Sequence, residues 1–269
     1  MLGSFLRAQT RLHTHHPIVF ITDYGRDDAY ASALVGAAWR VDPLARCVEG
    51  THGVPPGDVL AGAYHVKSLA LAFDRGTVLC AVVDPGVGAE RRAIAVEVES
   101  ARCVAPDNGL VSYLWRESPS DSRLAVQLDV PEWASMTFHG RDVFAPAAAQ
   151  LATGLPLRDC GYPIDDPVIL AEAFAERMPA EVRGIVAVID HFGNAVTTVR
   201  DTDLAGRAVR SVSWDGGATD QVVSTYEGID DGLAALIGSA GHIEVSARGR
   251  PARELGGPLL RGRVTVSVG

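Results

Sequence analysis

Aromatic side chains are scarce in this sequence, at 6% of 269 residues, and there are only four cysteines. So few rings argue against an aromatic-cored β-sandwich, while abundant Ala and Gly suit the close helix–sheet contacts of an α/β fold. Cys47, Cys80, Cys103 and Cys160 form no CxxC pair, which excludes a zinc ribbon or redox dithiol and leaves reduced thiols, mostly buried. No apolar run reaches the roughly 18 residues of a membrane helix. Residues 1–17 carry Arg7, Arg11 and three histidines but no apolar stretch of a secretory signal. They read as an N-terminal extension, and the chain as cytoplasmic. Basic charge is also short: 24 Lys and Arg against 33 Asp and Glu give a net −9. A polyanion partner such as nucleic acid is therefore not expected. What the chain has is 47% hydrophobic and 21% charged residues, enough for a large core.

The first apolar run, Ile18 to Ile21, stops at Thr22-Asp23-Tyr24-Gly25 and reads as a buried parallel strand opening onto a loop. Asp27 and Asp28 precede a small-residue helix over 29–40, and a second helix is expected over 59–73. Strands follow at 77–83, ending in Asp84-Pro85-Gly86, at 93–98, and at 103–105, ending in Pro106-Asp107-Asn108-Gly109. Ligands of open α/β sheets bind beyond the carboxyl ends of the strands, so these polar loops are the expected site. Pro163, Pro167 and Pro179 mark a linker carrying a short Ala/Glu-rich helix. Beyond it, short β-type runs at 184–189, 195–199, 208–214, 221–224, 242–247 and 263–268 suggest a small antiparallel sheet or barrel. The expected architecture is a larger N-terminal α/β domain (18–165) with a central, mostly parallel sheet, a linker (166–182) and a smaller C-terminal β-barrel-like domain (183–269).

Common nucleotide and hydrolase motifs fail. Gly86-Val87-Gly88 lacks the third Gly of a dinucleotide fingerprint and the Gly-Lys of a phosphate loop, and there is no GxSxG or HExxH. By itself such a Gly pair is an ordinary tight turn; Asp84 before it and Arg91-Arg92 after it make it a candidate site. His139, between Phe138 and Gly140 and followed by Arg141-Asp142, is a second candidate, although Arg141 and Asp142 could equally pair with each other or cap a helix. Asp190-His191-Phe192-Gly193-Asn194 is either a routine turn or a purine contact, since Asn offers donors and acceptors and Phe a stacking face.

Taken in order, these segments resemble the S-adenosyl-L-methionine hydroxide adenosyltransferase family, the hydrolases related to the fluorinating and chlorinating enzymes. The resemblance rests on Thr22–Gly25 with Asp28, Val82–Gly88 with Arg91-Arg92, Ala105–Leu110, Thr137–Pro146, Asp190–Asn194 and Gly238-Ser239-Ala240-Gly241. It implies a homotrimer whose active sites lie between the N-terminal domain of one subunit and the C-terminal domain of the next. The implied reaction turns S-adenosylmethionine and water into adenosine and L-methionine. An Asp-Arg-His set binds the water, at the positions of Asp84, Arg91 and His139, with Arg92 an alternative to Arg91. Substrate contacts fall on Asp23 for the ribose, Asn194 and Phe192 for adenine, with Phe138 a second ring, and Asp190 and Ser239 for the methionine ammonium and carboxylate. The halogenating relatives carry Tyr at the positions of Asp84 and His139 and an extra loop that is not seen here, so the sequence resembles the hydrolases. Ala240 and Arg248-Gly249-Arg250-Pro251 depart from the family pattern. A chlorinase-like halide transfer and a non-catalytic S-adenosylmethionine or adenosine sensor are the alternatives.

The implied chemistry is coherent. A sulfonium leaves as a neutral thioether without acid, and hydroxide attack neutralises charge, which a dry pocket favours. Arg91 would supply permanent positive charge, His139 would hydrogen-bond the water or take its proton, and Asp84 would orient both. As sole base Asp84 would be poor, with a reference pKa of about 3.9. No metal or cofactor is called for.

Overall fold

The computed structural model describes residues 15–269; the expected N-terminal extension lies outside the described residues up to residue 14. The first lobe contains a seven-stranded sheet ordered β2-β1-β3-β5-β4-β6-β7. These strands are β1 (Pro17–Thr22), β2 (Arg46–Thr51), β3 (Val78–Val82), β4 (Ala93–Glu97), β5 (Arg102–Pro106), β6 (Leu124–Leu128) and β7 (Gly161–Ile164). β2, β1, β3 and β5 are parallel neighbours, while β4 and β7 run against the rest. The reading of a mostly parallel sheet therefore holds.

Strand periodicity explains the layering, because successive side chains point to opposite faces. Ile18, Phe20, Val78 and Cys80 pack against α1 (Tyr30–Val41) and α4 (Ala145–Ala152). Val19, Ile21, Leu79 and Ala81 pack instead against α2 (Val59–Ala72) and α3 (Ser112–Glu117). Both faces of the sheet are covered, which is why these strands read as continuous apolar runs.

The second lobe is an antiparallel sheet ordered β12-β11-β15-β9-β10-β14-β13, with β8 alongside β9. Its strands are β8 (Glu176–Arg177), β9 (Glu181–Ile189), β10 (Ala195–Arg200), β11 (Val209–Trp214), β12 (Gly217–Thr219), β13 (Leu233–Ile237), β14 (His242–Ala247) and β15 (Arg263–Val268). A short helix, α5 (Asp201–Leu204), follows β10. The sheet is nearly closed: Ala235 N donates to Gln221 O at 2.8 Å and Val223 N to Ala235 O at 3.0 Å. The strand expected over 221–224 is thus a single bridge from Val222 to Ala235, because the chain turns away into a 3₁₀ turn at Tyr226–Gly228. β2, β6 and β13 were not expected; Leu-Ala-Ala-Leu-Ile in β13 carries no β-branched or alternating signal until Ile237.

The proline-marked segment after β7 is stitched to the first lobe. Val168 N donates to Asp107 Oδ1 at 2.7 Å and Leu170 N to Ser112 Oγ at 2.9 Å. Its expected helix is one 3₁₀ turn, Ala171–Ala173. The lobes also share apolar packing, since Ala187, Val188 and Val196 of β9 and β10 join the core beneath α2.

His242 crosses the same seam. It is fully buried at the start of β14, edge-on to Tyr64 and Tyr113 of the first lobe. Its Nδ1 donates to the carbonyl of Thr197 at 2.7 Å. Burial and the nearby Lys67 cation push its pKa down from the usual 6.5 to about 4. An unfolded chain takes up this proton first, so stability should fall as pH drops from about 6.5 to about 4, by about 3 kcal/mol in total. Thermal midpoints across that range check this, with His242→Gln expected to lack that part of the acid loss; identical pH dependence in both proteins would refute it.

Candidate active site

Because β1, β3 and β5 are parallel neighbours, the loops that follow them emerge along one sheet edge. Asp84 opens the loop after β3, in a tight turn where Val87 N donates to Asp84 O at 3.3 Å and Ala89 N to Gly86 O at 3.1 Å. Gly88 has φ +76°, and a Cβ there would strike the carbonyl of Met136, so this position requires glycine. The turn brings Arg91 back onto Asp84. Arg91 Nε lies 3.1 and 3.0 Å from the two carboxylate oxygens, and Nη2 also donates to Oδ2. Nη2 reaches His139 Nδ1 at 2.9 Å as well. The Asp84 and Arg91 side chains are only 6% and 10% exposed, and the guanidinium lies 5.3 Å from the Phe144 ring centre. His139 is presented by a π-helical turn, Gly140–Phe144, that runs into α4. A side chain at Gly140 would collide with the Tyr24 hydroxyl, so this glycine lets the β1 loop close over His139.

The hydrogen-bond pattern assigns the tautomer. Arginine has no acceptor, so Nδ1 of His139 must accept, and the neutral ring carries its proton on Nε2. Burial, then the charge of Arg91, push the pKa of His139 below the usual value and keep the ring neutral. Two buried N–H groups are left without partners, Nε2 of His139 and Nη1 of Arg91. Buried donors of this kind are rare in native proteins and favour an acceptor, above all an anionic oxygen. The ring nitrogen that could have taken a proton from water is already occupied by Arg91.

The other first-lobe candidates divide clearly. Asp23 Oδ2 accepts from Gly57 N at 2.8 Å; burial raises its pKa, and the nearby Asp84 adds to the effect. Arg92 is tied elsewhere, to Asp107 at 2.6 Å and to Asp166 at 2.7 Å, so Arg91 is the arginine beside Asp84 and His139. Arg141 and Asp142 pair with each other at 2.7 and 2.8 Å. Phe138 packs edge-on against Tyr24 and Tyr30, with Arg141 4.9 Å from its centre. Tyr24 was not singled out from the sequence. Burial raises its pKa well above the usual 10, with the nearby charges of Asp23 and Asp84 adding to the rise and that of Arg91 opposing it. The cue was its place in the Thr22–Gly25 segment that carries the resemblance.

The remaining candidates lie on the second lobe. Asp190 Oδ1 accepts from Phe192 N at 3.0 Å and Asn194 N at 2.8 Å, and Oδ2 accepts from Asn194 Nδ2 at 2.8 Å. This Asx turn leaves Phe192 74% exposed. Asp190 and Ser239 border a cleft of about 980 Å³ that also touches Tyr64, His65 and Ser68 of α2, but not Asp84, Arg91 or His139. Behind it, buried Glu244 accepts from Tyr226 Oη at 2.7 Å, and burial, with Asp190 nearby, raises its pKa. Among the described residues, no hydrogen bond, ion pair or ring contact joins the second-lobe group (Asp190, Phe192, Asn194, Ser239) to the first-lobe group (Asp23, Asp84, Arg91, Phe138, His139). Within one chain the two groups are thus separate clusters.

Comparison with known proteins matches both lobes to one family. The SAM hydroxide adenosyltransferase N-terminal domain matches residues 18–161, and the C-terminal domain of the same family matches residues 184–258. An (R)-S-adenosyl-L-methionine hydrolase from Salinispora tropica is 37% identical, covering 94% of this chain and 98% of its own length. A protein of the same name from Thermus thermophilus is 35% identical, over 88% of this chain and 94% of its own; a fluorinase from Actinoplanes is more distant, at 28% over 70% and 72%. The solved structure of an uncharacterized conserved protein from Thermotoga maritima superposes with a TM-score of 0.83 at 28% identity, covering 93% of this chain and 99% of that one. Fold, order of motifs and matched length agree across both lobes, and the chain belongs to the SAM hydroxide adenosyltransferase family.

Proposed function

We propose that this protein hydrolyses S-adenosyl-L-methionine to adenosine and L-methionine. The observation that carries the reading is the pair of buried, unpartnered N–H donors on Arg91 and His139 beside Asp84. An oxygen held between them is polarised toward hydroxide by fixed positive charge and a neutral donor. That oxygen attacks C5′ of the ribose as hydroxide, its other proton having passed to solvent; the C–O bond forms, the C–S bond breaks, and its electron pair returns to sulfur as the neutral thioether of methionine. Asp84 holds the guanidinium in place. In this reading Asp23 accepts from the ribose hydroxyls, and Tyr24 with Phe138 supplies an apolar wall on the same lobe. The reading calls for no metal or cofactor, since the leaving group departs neutral.

The second-lobe residues take the rest of the substrate: Asn194 and the exposed ring of Phe192 the adenine, Asp190 the ammonium and Ser239 the carboxylate. Two half-sites that do not meet within one chain support a site completed by a neighbouring copy, and a homotrimer with three such sites is the assembly that fits the reading. A cytoplasmic location is supported by four unpaired cysteines.

The test is to incubate the purified protein with S-adenosylmethionine, with and without chloride or fluoride, and separate the products by chromatography. Adenosine and methionine in equal amounts, unchanged by halide, are expected. A 5′-halo-5′-deoxyadenosine product would move the assignment to halide transfer, and stoichiometric binding without product would move it to a sensor.

A further inference from the structure

The seam between the lobes carries a chain of ion pairs beside its apolar packing. The chain has one lysine among its 24 basic residues, and that residue, Lys67 on α2, is 8% exposed. Its Nζ donates to Glu117 Oε1 at the end of α3 at 3.0 Å and stands 5.3 Å from the Tyr113 ring centre. The same carboxylate oxygen accepts from Nη1 of Arg200, which ends β10 in the other lobe. Arg200 in turn donates to Asp203 at 3.0 and 3.1 Å, and Asp203 also receives Arg177 of β8 at 2.8 Å. At the start of α2, Asp58 accepts from Arg261 of the second lobe. α2 is thus ion-paired to the second lobe near its start and, through Glu117, again beyond its middle.

Buried ion pairs contribute little net stability, because desolvation offsets most of the Coulomb gain, and apolar side chains of similar volume often pack as well. They do define geometry, since each cation has a particular carboxylate to reach. β10, which the ion pairs grip, and β14, which crosses the seam through the His242 ring, flank the second-lobe group. β10 begins immediately after Asn194 and ends at Arg200, while β14 begins at His242, three residues after Ser239.

We propose that Lys67, Glu117 and Arg200 are positioning residues that set the angle between the lobes, and so the fit of the second half-site of one copy against the Asp84–Arg91–His139 set of its neighbour. The proposal rests on the shared-site reading above. Head-to-tail contacts close into a ring only when the rotation between the two faces is held constant, and here that rotation is the angle across this seam. The water-holding set lies wholly in the first lobe. A changed angle therefore weakens the grip on substrate while leaving hydroxide attack intact.

Two variants test this: Lys67→Met, which keeps the aliphatic stem, and the triple variant Lys67→Met/Glu117→Met/Arg200→Met, which replaces the network with apolar side chains. Both are expected to fold, with KM for S-adenosylmethionine raised about tenfold at near-constant kcat and with a broadened assembly distribution by light scattering. Folded variants with unchanged KM and assembly would overturn the proposal. Failure of both to fold would overturn it too, by making the network a stabiliser. If wild-type protein makes no adenosine, the hydrolase reading fails, and the assembly measurement still decides the positioning role.

Discussion

Asp84→Asn is expected to keep the fold and assembly while lowering adenosine formation by about 10²- to 10³-fold, the usual cost of removing one preorganised electrostatic contact. The carboxylate accepts from both Nε and Nη2 of Arg91, so it fixes where the guanidinium points. An amide of the same shape keeps one acceptor but puts a donor against Arg91, which turns the guanidinium away and leaves the nucleophile unpolarised. Alanine is a poorer probe, because it strands a nearly buried cation at a cost of about 3–5 kcal/mol and mixes folding with catalysis. Steady-state adenosine release, with thermal melting and light scattering as controls, gives the answer. Wild-type turnover in the Asn variant would remove Asp84 from the machinery.

The second large effect concerns His139. With Nδ1 accepting from Arg91, the ring acts on the nucleophile through its Nε2 proton as a hydrogen-bond donor. His139→Gln offers an amide N–H in that region and is expected to retain activity within about tenfold, whereas His139→Ala loses about 10²-fold. A general-base role would make both variants equally inactive. The pH dependence has a definite sign. The folded-state pKa is depressed, so the neutral ring persists through the neutral range and is lost only as pH falls below the usual 6.5. Protonation there puts a proton on Nδ1 facing the Arg91 cation and breaks the contact. Wild-type kcat/KM should therefore show an acid limb below that value, and the Gln variant should not.

Much of this molecule could be read from residue pattern. Ile18–Ile21 and the run before Asp84 announced buried parallel strands because both faces of such strands are covered, and the polar loops at their ends marked the sheet edge where Asp84, Arg91 and His139 meet. Other elements were opaque for physical reasons. Leu-Ala-Ala-Leu-Ile of β13 lacks strand chemistry and is held by its neighbour β14 and by Gln221 and Val223. Glu244 lies unremarked in the run 242–247, and burial with a Tyr226 contact is what sets it apart.

Residue pattern indicated that the acidic, ring-poor chain is an α/β protein with a β-rich C-terminal part, and the family resemblance grouped Asp84, an arginine and His139, three side chains that the fold joins by hydrogen bonds. The choice of Arg91 over Arg92 needed the fold: adjacent side chains diverge, one to Asp84 and the other to Asp107 and Asp166. The tautomer of His139 needed it as well, because it follows from a contact between residues 48 positions apart. The separation of the Asp190 group from the Asp84–Arg91–His139 cluster, and the burial of the single lysine between the lobes, are likewise long-range facts. They depend on how two sheets pack, which no local pattern of residues encodes.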